Sequence, residues 1–158
     1  MLTLLGVFLG LFLKFFAFDV LHISGSSMSP NLKQGDSIII NKLAYGIHKP
    51  FSESYIHQYN SPSKNEIVTF LHDNKIVIKR CVLTPGEHLD FLVDSQYYLL
   101  IDNTKIPLLK DEYDKLKYAE FVPEGYIFVL GDNYQESVDS RNYGFVSIKD
   151  IIGKAVGK

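Results

Sequence analysis

The sequence predicts a mainly β domain of antiparallel sheets, preceded by an apolar helix that anchors it to a membrane. Three observations predict it. Short runs of β-branched and aromatic residues alternate with turn residues from Asp36 onward. No long helical periods separate them, so βαβ units are not expected. Met1 to Leu13 carries no charged side chain, whereas the remainder has the make-up of a soluble domain. A chain of 158 residues can enclose its own core. With 46% hydrophobic and 22% charged residues it is not a disordered chain. A net charge of −2 argues against a nucleic-acid partner. The single cysteine, Cys81, excludes an intramolecular disulfide framework and a cysteine-rich zinc site.

Each element follows in order. The Met1–Leu13 run would reach about 20 Å as a helix, short of the roughly 30 Å hydrocarbon core. Continuation through Phe18, with Lys14 reaching back to the interface, lengthens the span. Otherwise residues precede Met1. The segment reads as an anchor over residues 1–19, which leaves 20–158 as the folded domain. A cleavable leader fits less well, because no basic stretch precedes the run and no small-x-small site follows it. A buried helix is the remaining alternative, since the apolar residues cover every face. Next, the Gly35-Asp36 turn feeds a strand at Ser37 to Ile40. Glu66 to Leu71 and Lys75 to Val82 form a hairpin around His72-Asp73-Asn74. Pro85-Gly86 turns the chain into a second pair, Phe91 to Val93 and Gln96 to Ile101. Tyr126 to Leu130 is a buried strand that runs into the turn residues Gly131-Asp132-Asn133. Phe145 to Ile148 adds a last strand. Pro50 to Asn65 reads as a loop, and Leu108 to Lys117 as a loop holding a helical turn or two.

Three regions have side chains suited to chemistry. Ser24-Gly25-Ser26-Ser27-Met28-Ser29-Pro30 reads either as a flexible exit from the apolar segment or as a turn bearing a serine nucleophile. Lys79 lies in Ile76 to Val82, where alternation puts Val77, Lys79 and Cys81 on one face. A lysine there is either a solvated surface residue or a partly buried amine. Burial would lower its pKa from about 10.4 and let the neutral amine act as a base. The third region is Gly131 to Val146. Asp139 and Arg141 are close enough to pair and brace that loop. Asp132, Glu136 and Asp139 lack EF-hand or two-metal spacing. His22, His48, His57, His72 and His88 show no triad or metal spacing.

The order of these pieces resembles the bacterial type I signal peptidases. Ser-Met-x-Pro at Ser27 to Pro30 is followed by Gly-Asp-x-Ile at Gly35 to Ile38, Lys79-Arg80 and Pro85-Gly86-Glu87. Gly131-Asp132-Asn133, Asp139-Ser140-Arg141 and Gly144-Phe145-Val146 complete the series. The resemblance implies a membrane-anchored serine endopeptidase with Ser27 as nucleophile and Lys79 as general base. It implies that Ser137 hydrogen-bonds the lysine amine and that Asp139 and Arg141 support the site. It implies that Ile23, Met28 and Ile78 line the pocket for the small residue before the scissile bond. Asp132 and Asn133 belong to a box of architectural role.

The implied reaction removes signal peptides from secreted preproteins after Ala-x-Ala-like sites, through an acyl-enzyme. It uses no metal and no organic cofactor. The implied partners are preproteins and the lipid bilayer. The implied location is the bacterial cytoplasmic membrane, with a single pass and the catalytic domain on the non-cytoplasmic side. Three departures stand out. Gly25 occupies a position where some relatives have a serine that helps hold the oxyanion, which leaves the backbone N–H of Ser27 as the donor. The stretch from Lys79 to Gly131 is too short for the large inserted domain of some relatives. Asn65-Glu66 replaces a frequent Gly-Asp. Other readings remain: a self-cleaving repressor, a conjugation- or organelle-type processing peptidase, or a membrane-tethered β domain that only binds a partner.

Overall fold

In the computed structural model, which describes Thr3, Gly6, Gly10, residues 17–49 and residues 55–157, twelve strands form three antiparallel sheets. They are β1 (Phe18–His22), β2 (Ser37–Asn41), β3 (Gly46–His48), β4 (Tyr55–Gln58), β5 (Ile67–His72) and β6 (Lys75–Leu83). Then come β7 (Asp90–Val93), β8 (Tyr97–Ile101), β9 (Thr104–Leu108), β10 (Tyr126–Leu130), β11 (Val146–Ser147) and β12 (Ile151–Gly157). Helix α1 (Lys110–Leu116) lies before β10, and α2 (Ser140–Tyr143) before β11.

The largest sheet has seven strands in the order β1-β2-β12-β5-β6-β10-β11. The expected β5–β6 hairpin lies near its centre. Its two-residue loop, Asp73-Asn74, has φ of 49° and 59°, so both residues are left-handed. That backbone twist matches the flanking strands, and Asp and Asn tolerate it. Asp102-Asn103 repeats the device between β8 and β9, with φ of 46° and 66°. The β7-β8-β9 sheet and α1 pack around Leu83, Leu99, Ile106 and Phe128. A second cluster, including Val68, Phe70, Cys81 and Val129, fills the middle of the large sheet. A third, Ile23, Met28, Leu32, Ile38 and Ile40, lies under the serine-bearing turn.

Several elements depart from expectation. Strand β12 pairs with both β2 and β5, so it is interior to the sheet. Its two glycines argue against a strand in the sequence, because glycine weakens one. The structure gives a reason for one of them: a Cβ on Gly153 would sit 2.6 Å from the Asn41 carbonyl oxygen. Part of the expected 50–65 loop is strand β4, paired with β3. The expected anchor over residues 1–19 falls mostly outside the described residues, which there are Thr3, Gly6, Gly10 and 17–19. Its last positions, Phe18 and Asp19, are strand rather than anchor, held extended by pairing with Asn41 and Ile40 of β2. Among the described residues no helix is long and apolar enough to cross a membrane.

Candidate active site

Strand β6 carries Lys79 into the interior, where it is 4% exposed. The turn holding Ser27 is fastened above it by Ile23, Met28 and Leu32, which are buried in the cluster below. The two meet: Lys79 Nζ donates to Ser27 Oγ at 2.8 Å. No carboxylate among the described residues forms an ion pair with Lys79. A buried ammonium held only by a neutral hydroxyl is poorly stabilised. Burial accordingly pushes the Lys79 pKa below the ordinary lysine value; the Asp139 carboxylate opposes this and the Arg141 guanidinium adds to it. On the same strand, Cys81 is fully buried, and burial pushes its thiol up to about 12. An inert core thiol follows.

The Gly131 to Arg141 segment braces the pair from the other side. Asp139 is wholly buried and binds Arg141 through both carboxylate oxygens, at 2.8 and 3.0 Å. It also accepts from the Gly131 N–H at 3.0 Å. The Arg141 guanidinium donates to the Tyr134 and Ser137 carbonyls at 2.9 and 3.1 Å, fixing the loop between them. Asp132 accepts two bonds from Arg80, both at 2.7 Å, and one from Asn31 Nδ2 at 2.8 Å. It therefore ties β6 to the turn that follows Ser27. Asn133 donates its N–H to the Ser27 carbonyl at 2.9 Å. Ser26 Oγ donates to Glu136, a pairing between residues 110 apart that sequence reasoning missed. Asp132, Glu136 and Asp139 are thus each engaged by protein donors.

Ser137 differs from expectation. It is buried, but its Oγ has no hydrogen-bond partner among the described residues, so the bond to the Lys79 amine is not formed in this structure. The hydroxyl instead occupies the place of a side chain on Gly131, whose Cβ would lie 2.2 Å from it. The same Cβ would lie 2.4 Å from the Ser27 carbonyl oxygen. Gly131→Ala should therefore push the Ser27 backbone. A displacement of about 1 Å costs on the order of 100-fold in rate, so a comparable fall in kcat is the expected result in a peptide-cleavage assay.

Beside Ser27 and Lys79 opens a cleft of ≈ 260 Å³. Ile23, Met28 and Ile78 all line it, together with Leu21, His22 and Val77. Ile23 and Met28 are nearly buried, so they form its floor and belong to the core at the same time. The remaining histidines do not line it; His22 is bonded to Ser37 Oγ at 2.8 Å. Gly25 contributes no side chain to the cleft that it also lines.

A serine hydroxyl, a buried amine in contact with it and a cleft with an apolar floor alongside have the parts of a serine hydrolase without a histidine. Comparison with known proteins gives the family. The profile of the family described as signal peptidase, peptidase S26, matches residues 1–157. The signal peptidase I of Bacillus caldolyticus is 32% identical over 160 residues, covering 90% of this chain and 79% of the relative. A probable thylakoidal processing peptidase 2 of Arabidopsis thaliana is 35% identical over 136 residues, covering 85% of this chain and 36% of the relative. A crystal structure of a signal peptidase I from Enterococcus faecalis V583 aligns with 63% of this chain and 100% of its own, at 27% identity and a TM-score of 0.43. The chain belongs to the signal peptidase family, peptidase S26. It is a serine peptidase whose function is signal-peptide removal from preproteins.

Proposed function

We propose that this peptidase cuts by a Ser27/Lys79 dyad, through an acyl-enzyme, after a small residue of the signal peptide. One observation carries the reading: the 2.8 Å contact between Ser27 Oγ and an amine that is 4% exposed and depressed in pKa. In the neutral form the Lys79 lone pair takes the Ser27 proton as Oγ attacks the scissile carbonyl. The oxyanion forms against the Ser27 N–H, which has no acceptor among the described residues. The protonated amine then gives its proton to the leaving amino group, and water resolves the acyl-enzyme. Ser137, buried without a partner, is the hydroxyl available to hold the amine when Ser27 turns to the substrate.

The floor of Ile23, Met28 and Ile78 favours small apolar side chains, in keeping with Ala-x-Ala-like sites. The substrate lies extended along the cleft beside β1, which pairs only with β2 among the described residues. The apolar run from Met1 precedes β1 directly, and we place the domain on a bilayer through it, on the non-cytoplasmic side of a bacterial membrane. Cleavage of a preprotein in detergent tests the dyad. Ser27→Ala should leave no turnover, and wild-type kcat/KM should rise with pH as Lys79 loses its proton. Retained cleavage by Ser27→Ala, or a profile flat from about pH 6 to 10, would sink it.

A further inference from the structure

The Ser27 N–H is aimed by the peptide that precedes it. The Ser26–Ser27 bond is trans; among the described residues only Ser29–Pro30 is cis. In a planar trans peptide the carbonyl and the N–H point in opposite directions. Whatever holds the Ser26 carbonyl therefore sets the direction of the Ser27 N–H. Two donors hold it: the Ser29 N–H at 2.9 Å and Asn133 Nδ2 at 3.3 Å. Asn133 Nδ2 also donates to Glu136 Oε2 at 3.3 Å. The same Glu136 oxygen accepts from Ser26 Oγ. The three side chains thus close a ring around the Ser26 carbonyl. Both partners of Nδ2 are pure acceptors, so the orientation of the Asn133 carboxamide is determined. The hydrogen of Ser26 Oγ is committed to Glu136, so Ser26 is not itself turned to an oxyanion. Gly25 offers no side-chain donor either.

We infer that Asn133 and Glu136 are positioning residues that aim the Ser27 N–H at the oxyanion, acting through the Ser26 carbonyl and hydroxyl. This rests on the reading of Ser27 as nucleophile. It also defines what each group must do. Asn133 must donate, and Glu136 must accept from two donors at once. An isosteric change that reverses the polarity of Asn133 should then do more harm than one that deletes the side chain.

The test measures kcat and KM on a signal-peptide substrate, and inhibition by an Ala-x-Ala peptide aldehyde, whose adduct with serine is tetrahedral. Asn133→Asp sets an oxygen against two acceptors and should lower kcat about 10- to 100-fold, less than or equal to the loss of a whole oxyanion donor. KM should change little, and aldehyde inhibition should weaken by the same factor as kcat/KM. Asn133→Ala should lose less. Glu136→Ala and Ser26→Ala, at exposed positions, should each lose about 3- to 10-fold and not add to one another. Glu136→Gln, which still accepts, should recover most of the activity. The acid limb of the pH profile should stay in place, because Lys79 is untouched. Wild-type kcat in Asn133→Asp overturns the inference. So does a loss confined to KM, unchanged aldehyde inhibition, or a moved acid limb. If Asn133→Asp does not fold, the Glu136→Ala and Glu136→Gln pair decides by the same readings. A Ser27→Ala control that still cleaves overturns the nucleophile itself; a dead control beside an active Asn133→Asp overturns only the positioning role.

Discussion

Lys79→Met is expected to abolish cleavage while leaving the protein folded and more stable at neutral pH. Methionine matches the length of the lysine stem and is at home in a site that is 4% exposed. What it lacks is a basic nitrogen at 2.8 Å from Ser27 Oγ. No histidine among the described residues is bonded to Ser27: His22, which lines the cleft, is engaged by Ser37, and the other four do not line it. Loss of a general base that also serves as the acid should cost about 10³-fold or more in kcat, with substrate affinity kept. The stability change has a defined sign. Burial depresses the Lys79 pKa in the folded state, so the unfolded chain binds the extra proton more readily. Folding is therefore penalised at pH values below the unfolded lysine pKa of about 10.4, and the penalty fades as pH rises towards it. Removing the amine relieves the penalty at pH 7. A rise in Tm of about 2–4 °C, the shift that accompanies 1 kcal/mol in a protein of this size, should shrink as pH rises to the lysine range. A Tm difference that is the same at pH 7 and pH 10, or cleavage that survives, would contradict this account.

The strands readable in the sequence are those whose local pattern and tertiary role agree. Asp73-Asn74 between two β-branched runs specifies a tight hairpin, and β5 and β6 form there. Ile127 to Leu130 is apolar at every position because it is covered on both faces, and the expected boundaries Tyr126 to Leu130 match β10. The strands that were illegible owe their state to partners far along the chain. Strand β1 is masked by the apolar start and is extended because β2 pairs with it. Strand β12 has Gly153 where the neighbouring backbone comes close, a tertiary need that reads locally as a weak strand. The site divides in the same way. Neither Ser27 nor Lys79 is informative by its own surroundings; the order of the boxes singled them out, and the fold puts them in contact. The Ser26–Glu136 and Asn133–Ser26 bonds join residues more than a hundred positions apart, and no period or spacing announces such a pair. Ser137 shows the converse. The bond to lysine that the resemblance implies is not formed, and its hydroxyl lies where a Gly131 side chain would be.

Arg141→Met should unfold the site from behind and shift its pH dependence. The Asp139–Arg141 pair is almost wholly buried, with side-chain exposures of 0% and 4%. Taking away one member of a buried ion pair leaves the other charge without compensation, which typically costs about 3–5 kcal/mol. In a protein of this size that corresponds to a Tm lower by about 6–20 °C. Arg141 also holds the Tyr134 and Ser137 carbonyls, so the 131–137 loop loses its fastening with it. The electrostatic consequence reaches Lys79. Asp139 raises the lysine pKa and Arg141 opposes it, with Asp132 acting in the same direction as Asp139. With Arg141 gone and Asp139 still ionised, the carboxylate acts on the amine unopposed. The acid limb of kcat/KM should then move to higher pH, while the double variant Asp139→Asn with Arg141→Met should bring it back towards the wild-type position. Asp139→Asn alone should move the limb the other way, because the guanidinium is then opposed only by the Asp132 carboxylate. An Arg141→Met protein of wild-type Tm would show that the buried pair does not hold the loop. A loss of stability with the acid limb unmoved would show that the pair braces the backbone without tuning the lysine.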